Sequence, residues 1–104
     1  MALTLEDYRR QVEANPENIL CQFSLGQALF EAGHYKEAIG PLQLCAERKA
    51  DWMMARILLG KCYLQLDQRP EARACLEQAL NLAVEQQHED PENEIRALLA
   101  GIEE

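Results

Sequence analysis

The sequence has few residues that break regular structure and no long apolar run. It holds five Gly and four Pro among 104 residues, which is too few for a long disordered linker. Its wholly apolar stretches are short, such as residues 97–100, whereas a membrane-spanning helix needs about 20 apolar residues. With 48% hydrophobic and 27% charged residues, the composition predicts one soluble folded domain over residues 1–104, without membrane association.

Positive charge is also scarce. Ten Lys and Arg stand against 18 Asp and Glu, a formal net charge of -8, and residues 87–104 carry -5 of it. Because no stretch is basic enough to neutralise phosphates, the sequence predicts no nucleic-acid partner. The acidic run over residues 89–94 has two interpretations. Its acids stabilise the positive end of a helix, or they dock a basic segment of a partner protein.

Close cysteine pairs and a secretion signal are absent as well. The four cysteines form no C-x-x-C pair and have no neighbouring His, so no metal site is expected. The N-terminal MALTLEDYRR has two acids and no apolar run after its positive residues, which predicts a cytoplasmic location. Three cysteines are expected to pack as small hydrophobes, and Cys21 is the candidate for thiol reactivity.

One clear repeat is present, with a period of 34 residues. Leu25 and Gly26 recur as Leu59 and Gly60, Glu37 and Ala38 as Glu71 and Ala72, and Leu42 as Leu76. A period between 20 and 50 residues indicates stacked supersecondary units.

Within each unit the apolar spacing is helical, at steps of three and four residues. The sequence therefore predicts an all-α fold of about six antiparallel helices. The expected segments are an N-terminal flanking helix over 4–14, a first repeat over 19–52 with helices near 16–31 and 35–49, a second repeat over 53–86 with helices near 52–66 and 70–87, and a C-terminal capping helix over 91–103.

Local signals suggest how these helices begin, turn and touch. We expect a capping box between Thr4 and Asp7 and a left-handed turn at Gly33. Gly26 and Gly60 should face small residues on the next helix and let the backbones approach closely, and a kink is expected at Pro41. Further expected caps are Asn15, His34 and Asp51, and the expected small partners of the glycines are Ala38 and Ala72.

The repeated pattern resembles the tetratricopeptide repeat family. Its Leu-Gly, bulky and small positions are filled once by Leu25, Gly26, Leu29, Tyr35, Ala38, Leu42 and Cys45, and again by Leu59, Gly60, Tyr63, Ala72, Leu76 and Ala79. The usual Trp near the start of each repeat is replaced by Gln22 and Arg56. Leu99 and Ala100 resemble a third Leu-Gly pair, 40 residues after the second.

The resemblance implies a right-handed superhelix whose first helices line a concave groove for peptide segments of other proteins. Carried onto this chain, the groove positions are Leu20, Phe23, Gln27, Phe30, Glu31, Trp52, Met54, Ile57, Lys61, Leu64 and Gln65. The groove is apolar and lacks the cluster of Lys, Arg and Asn that grips a C-terminal carboxylate, so no binding of a peptide ending in Met-Glu-Glu-Val-Asp is expected.

An exposed apolar patch of this kind usually marks an interface. The sequence therefore predicts a protein-protein interaction module that binds a peptide or helix of a partner protein. Three alternatives stay open: a homodimeric scaffold that uses the same face, a small chaperone that shields a client, and burial of these side chains in the core. With two His, no recognisable catalytic pairing and no glycine-rich phosphate loop, neither an enzyme nor a cofactor is expected.

Overall fold

The computed structural model describes residues 3–103, and within them it contains six α-helices and no strand. The all-α fold predicted from the repeat is therefore confirmed. No helix in this range is long and apolar enough to cross a membrane. The helices are α1 (Leu5–Ala14), α2 (Ile19–Glu31), α3 (Tyr35–Arg48), α4 (Met53–Gln65), α5 (Arg69–Glu85) and α6 (Glu89–Glu103).

The first two helices begin at side-chain caps. The capping box is present, since the Asp7 amide donates to the Thr4 hydroxyl at 3.2 Å and the Thr4 amide donates to the Asp7 carboxylate at 2.9 Å. The cap of α2 is Asn18, whose side-chain oxygen accepts from the amides of Leu20 and Cys21. The prediction that Asn15 caps this helix is therefore wrong, and α2 starts three residues later than expected.

The other two expected caps are also absent. His34 occupies the cap position of α3, but its side chain makes no capping hydrogen bond. At α4 the cap position belongs to Trp52 rather than Asp51, and no side chain closes that helix end. Both helix starts instead have aromatic packing, because Tyr35 meets Phe30 edge to face and Trp52 stacks on Phe23, both rings being on α2.

Three of the turns between helices have the same hydrogen bond. The amide of His34 donates to the carbonyl of Leu29 at 2.8 Å, and two later turns repeat this five-residue bond, from Gln68 to Tyr63 and from His88 to Ala83. The bond closes the preceding helix when the residue before the donor is left-handed. Gly33 takes that conformation with φ of +83°, as predicted, and Asp67 and Gln87 take it in the other two turns.

Consecutive helices pack against one another, α2 on α3 and α4 on α5, and α3 and α4 join the two pairs. The flanking helix α1 packs on α2 and the last helix α6 packs on α5. The resulting body measures 40 × 27 × 25 Å. Its core forms two adjoining clusters, one around Leu29 and Leu42 and one around Leu76 and Ile95.

The helices of each repeat touch at a glycine, as expected, but the partner is a leucine. A Cβ atom placed on Gly26 would lie 2.7 Å from Leu42 Cγ, and one placed on Gly60 would lie 2.8 Å from Leu76 Cγ. Real Cβ atoms essentially never show contacts this short, so a neighbouring atom would have to shift. The expected partners Ala38 and Ala72 are fully buried, and the side chain nearest to each glycine is the leucine one turn further along, Leu42 or Leu76.

Helix α6 repeats the register of α2 and α4 with one change. Gly26 and Gly60 are the eighth residues of α2 and α4, and the eighth residue of α6 is Arg96. The preceding residue, Ile95, is buried like Leu59. The third pair is thus residues 95–96, not Leu99 and Ala100. Helix α5 has three residues more than α3 and the loop after it one residue fewer than the loop after α3, so α6 starts two residues later than the 34-residue period predicts.

Candidate partner-binding surface

The predicted groove residues do not form one open apolar face. Leu20 and Met54 are 66% and 44% exposed, and Glu31 and Gln65 are exposed polar residues. Ile57 is only 1% exposed, so the prediction that it lines an open groove is wrong. The remaining predicted positions are half-buried: Phe23, Gln27, Phe30, Trp52, Lys61 and Leu64.

The aromatic members of the predicted groove are occupied by contacts between helices. The ring of Phe23 stacks on that of Trp52, with centroids 4.7 Å apart and planes 23° apart. The ring of Phe30 meets Tyr35 edge to face, with centroids 5.5 Å apart. Both phenylalanines also pack against the first core cluster, so they join α2 to its neighbours and offer only part of their surface to a partner.

The part of the predicted groove formed by Ile57, Lys61 and Leu64 is covered by α6. Ile57 belongs to the core cluster that contains Ile95, and Leu64 packs against that cluster. The Lys61 ammonium lies 3.5 Å from the Glu94 carboxylate. Sequence reasoning missed this cover because it assigned α6 only the role of an end cap. The apolar surface that stays open is therefore at the other end of α4.

That open surface is a cleft of about 810 Å³ where α2 and α4 begin. Leu20, Trp52 and Met54 of the predicted set lie together in its wall. The complete lining is Glu17, Asn18, Ile19, Leu20, Lys49, Asp51, Trp52, Met53, Met54 and Gln86. Ile19 and Met53 were missed by the sequence analysis, although adjacent apolar residues at two helix starts, Ile19-Leu20 and Met53-Met54, were a signal that could have found them.

The loop that forms one wall of this cleft is held by hydrogen bonds from neighbouring helices. The Arg56 guanidinium donates to the carbonyl of Ala50 at 3.1 Å and to that of Ala46 at 3.4 Å. The side-chain amide of Gln86 donates to the backbone carbonyl of Asp51 at 3.3 Å. With Trp52 stacked on Phe23, the wall is fixed before any ligand arrives, which reduces the entropy that binding costs.

A second cleft of about 520 Å³ lies between α1 and α2. It is lined by Leu3, Leu5, Tyr8, Ser24, Gln27, Ala28, Glu31 and Ala32. Gln27 and Glu31 of the predicted groove therefore lie apart from Leu20 and Met54, in a more polar surface. The structure thus divides the predicted groove into two separate depressions and a buried portion.

The thiols and histidines form no recognisable reactive centre. Burial raises the pKa of the Cys45 and Cys62 thiols to about 11, so both are protonated at neutral pH. Cys21 is half-buried, and its reactivity stays a prediction. Both histidines are exposed. Within residues 3–103, no group of three or more His, Cys, Asp or Glu side chains could hold a metal ion.

Comparison with known proteins places the fold among repeat proteins. In solved structures, PcrH of Pseudomonas aeruginosa in complex with the chaperone-binding region of PopD matches with a TM-score of 0.85 and 19% identity, over 94% of this chain and 74% of that one. The first tetratricopeptide repeat domain of Spaghetti, bound to the HSP90 peptide SRMEEVD, matches with a TM-score of 0.79 and 20% identity, over 96% and 78%. At these identities the likeness concerns the fold alone.

Curated proteins also match in sequence. Anaphase-promoting complex subunit 3 of Dictyostelium discoideum is 36% identical over 92 residues, which is 86% of this chain and 9% of that protein. Superkiller complex protein 3 of Homo sapiens is 32% identical over 62 residues, 60% of this chain and 4% of that protein. The chain thus spans less than a tenth of the length of either relative.

A family model matches most of the described helices as well. The model described as anaphase-promoting complex, cyclosome, subunit 3 matches residues 5–79, which includes both Leu-Gly pairs and the helices α1 to α4. This range covers the two core glycines and the leucines that pack on them. The chain therefore belongs to that family, which is of the tetratricopeptide repeat type.

Proposed function

We propose that this chain is a protein-protein interaction module that binds a segment of a partner protein in the cleft between the starts of α2 and α4. The observation that carries the proposal is that Leu20 and Met54 are both exposed and both line the wall of that cleft. Its volume of about 810 Å³ lies in the range of about 300–1,000 Å³ typical of ligand pockets.

The distribution of exposed apolar side chains supports this site. Large exposed hydrophobic residues in the described range are Leu3, Leu20, Met54 and Val84. Two of these four line the same cleft, together with half-buried Ile19 and Trp52. Apolar surface gathered at one rigid depression is typical of interaction sites, whereas single exposed hydrophobic residues are common everywhere on proteins.

The fold relatives agree with a role in holding other proteins. PcrH is bound to a region of PopD and the Spaghetti domain is bound to an HSP90 peptide. We nevertheless propose no carboxylate clamp for this chain. Lys61 is the one cation among the predicted groove residues, and it is paired with Glu94. Non-enzymatic action, a cytoplasmic location and the absence of a nucleic-acid partner stay predictions from the sequence.

Two further uses of the same surface are distinguished by separate measurements. If a second copy of the chain fills the cleft, light scattering over a hundredfold concentration range will move from 11.9 kDa toward twice that value. Our proposal of a foreign partner predicts a monomer throughout. A chaperone role would differ in that an aggregation-prone client stays soluble only in the presence of the chain.

Replacing both Leu20 and Met54 with Ser should weaken partner binding at least tenfold and leave the helical content unchanged. Both side chains are exposed, so their removal costs little folding energy, whereas a peptide anchored on them loses its apolar contacts. The probe is the tightest peptide from a phage-displayed library of random 12-residue sequences selected on the full chain. Calorimetry measures its Kd, and circular dichroism measures the helical content.

The matched control replaces Leu3 and Val84 with Ser, since these two side chains are similarly exposed and lie outside the cleft lining. We expect wild-type affinity from that control. Equal affinity in the Leu20 and Met54 variant would show that the cleft is not the binding site. Phe30 and Leu64 are poorer choices for this test, because both pack against the core.

A further inference from the structure

The rim of the cleft is acidic, and this bears on which segment it accepts. Among the lining residues the charged groups are Glu17, Asp51 and Lys49. The Glu17 carboxylate lies 3.4 Å from the guanidinium of Arg48. Asp51 is exposed, and in the described part of the chain its carboxylate forms no ion pair.

The turn between α5 and α6 brings more acids to the same end of the molecule. Gln86 lines the cleft and donates a hydrogen bond to the carbonyl of Asp51. Its chain neighbours include Glu85, Glu89 and Asp90, all exposed. Together with Glu17 and Asp51 these make five acids at this end, against the three bases Arg48, Lys49 and Arg56, a local balance of -2.

Two other acids of the C-terminal region, Glu92 and Glu94, are already in ion pairs within the molecule. Glu92 is paired with Arg96 at 3.0 Å, and Glu94 is paired with Lys61 at 3.5 Å. Helix α6 therefore uses one pair within itself and one pair to hold α4. The acids left for a partner are those beside the cleft.

The apolar wall of the cleft accepts bulky apolar side chains of several shapes. Met53 and Met54 have unbranched, polarizable side chains that adapt to different apolar partners. A site of this kind discriminates poorly among Leu, Ile, Met and Phe. Specificity must then come from the charges around it, which favour oppositely charged partners and repel those of like charge.

We propose that the cleft binds an internal segment of a partner protein that presents a bulky apolar side chain flanked by Lys or Arg. The inference rests on the proposed function and specifies its ligand. The apolar side chain enters between Leu20 and Met54, and the cations face Asp51 and the acids of the turn at residues 85–90. A chain terminus with a free carboxylate is disfavoured because it would face these acids, and Asn18 already occupies two free amides of α2.

The test uses a library of random 12-residue peptides displayed with both ends fused to the phage coat protein, selected on the full chain at 50 mM NaCl. We expect the enriched peptides to contain a bulky apolar residue with at least two Lys or Arg within three positions. As an amidated synthetic peptide, the best of them should bind at least tenfold more tightly than its analogue with Gln in place of Lys and Arg. Its affinity should also fall at least tenfold at 500 mM NaCl.

Matched charge variants locate the effect. The variant Asp51→Asn/Glu89→Gln/Asp90→Asn should weaken binding at least fivefold. The control Glu6→Gln/Glu71→Gln/Glu77→Gln removes the same charge from exposed positions away from the cleft and should bind like wild type. Equal weakening in both variants would overturn the proposal, because general net charge would then explain the effect.

The remaining outcomes separate this inference from the proposed function. If binding needs Leu20 and Met54 but the Gln analogue binds equally well, the preference for basic segments is wrong and the interaction site stands. A free-acid peptide that binds more tightly than its amide would also overturn the inference, since it would point to a carboxylate at the uncapped start of α4. If no peptide is enriched, or if the enriched peptides bind the Leu20→Ser/Met54→Ser variant normally, both proposals fail.

Discussion

Replacing Leu76 with Ala is expected to lower the free energy of unfolding by about 3–5 kcal/mol, in the upper part of the range for buried leucines. Leu76 is fully buried, and its Cγ and Cδ2 atoms occupy the space left by the missing side chain of Gly60. It packs in the same cluster as Ile57 and Ile95, from α4 and α6. Truncation would therefore leave a cavity where three helices meet.

Guanidinium chloride unfolding followed by circular dichroism measures this loss. For a domain of this size it is a large share of a total stability of about 5–15 kcal/mol. The matched control is Leu20→Ala, which truncates the same side chain at a position 66% exposed and should change the free energy by less than about 0.5 kcal/mol. Similar losses in the two variants would contradict the packing described for α4, α5 and α6.

Replacing both Gly26 and Gly60 with Ala should lower the free energy of unfolding by about 2–4 kcal/mol, although alanine favours helices over glycine. Each new Cβ would meet a leucine Cγ at 2.7 or 2.8 Å, and overpacking of this kind costs about 1–3 kcal/mol per site. Leu42 and Leu76 cannot easily move away because both are fully buried. The sites lie in different repeats, so their effects should add.

The matched control replaces Gly101 with Ala. This residue lies inside α6, and a Cβ on it would meet nothing within 4 Å. Gly40 is not used, because it precedes Pro41, whose ring clashes with a Cβ on the preceding helical residue. The Gly101 change should stabilise the chain by about 0.5–1 kcal/mol through helix propensity alone. Opposite signs in the two variants, measured by guanidinium unfolding, are the expected result. Stabilisation by Gly26→Ala/Gly60→Ala would mean that the helices of each repeat are further apart than described.

The repeat made most of the fold predictable from sequence. A 34-residue offset that pairs Leu25 with Leu59 and Gly26 with Gly60 fixes which helices form pairs, because the same side chains must meet the same partners in each unit. The turn at Gly33 and the capping box at Thr4 follow from local chemistry that acts over three to five residues. These features need no knowledge of distant contacts.

The remaining features depend on contacts that the periodic pattern does not specify. Ile57 has the spacing of a groove residue, yet it is buried in the core cluster that also contains Ile95 of α6. The register of α6 depends on the length of α5 and of the loop after it. Asn15 and Asn18 are both good capping residues. Which of them caps α2 depends on where the chain turns in three dimensions, and the structure has Asn18 there. The cleft itself arises between the starts of two helices that are 34 residues apart, so no local motif marks it.

The central claim, that the cleft beside Leu20 and Met54 binds partner segments, can be tested most directly by the fluorescence of Trp52. It is the only tryptophan in the chain and lines the cleft, so its emission reports on that site alone. Titration with the selected amidated peptide should produce a saturable change in Trp52 emission, with the Kd that calorimetry gives, and the change should be lost in Leu20→Ser/Met54→Ser. A peptide that binds by calorimetry but leaves Trp52 emission unchanged, and binds this variant equally well, would contradict the claim.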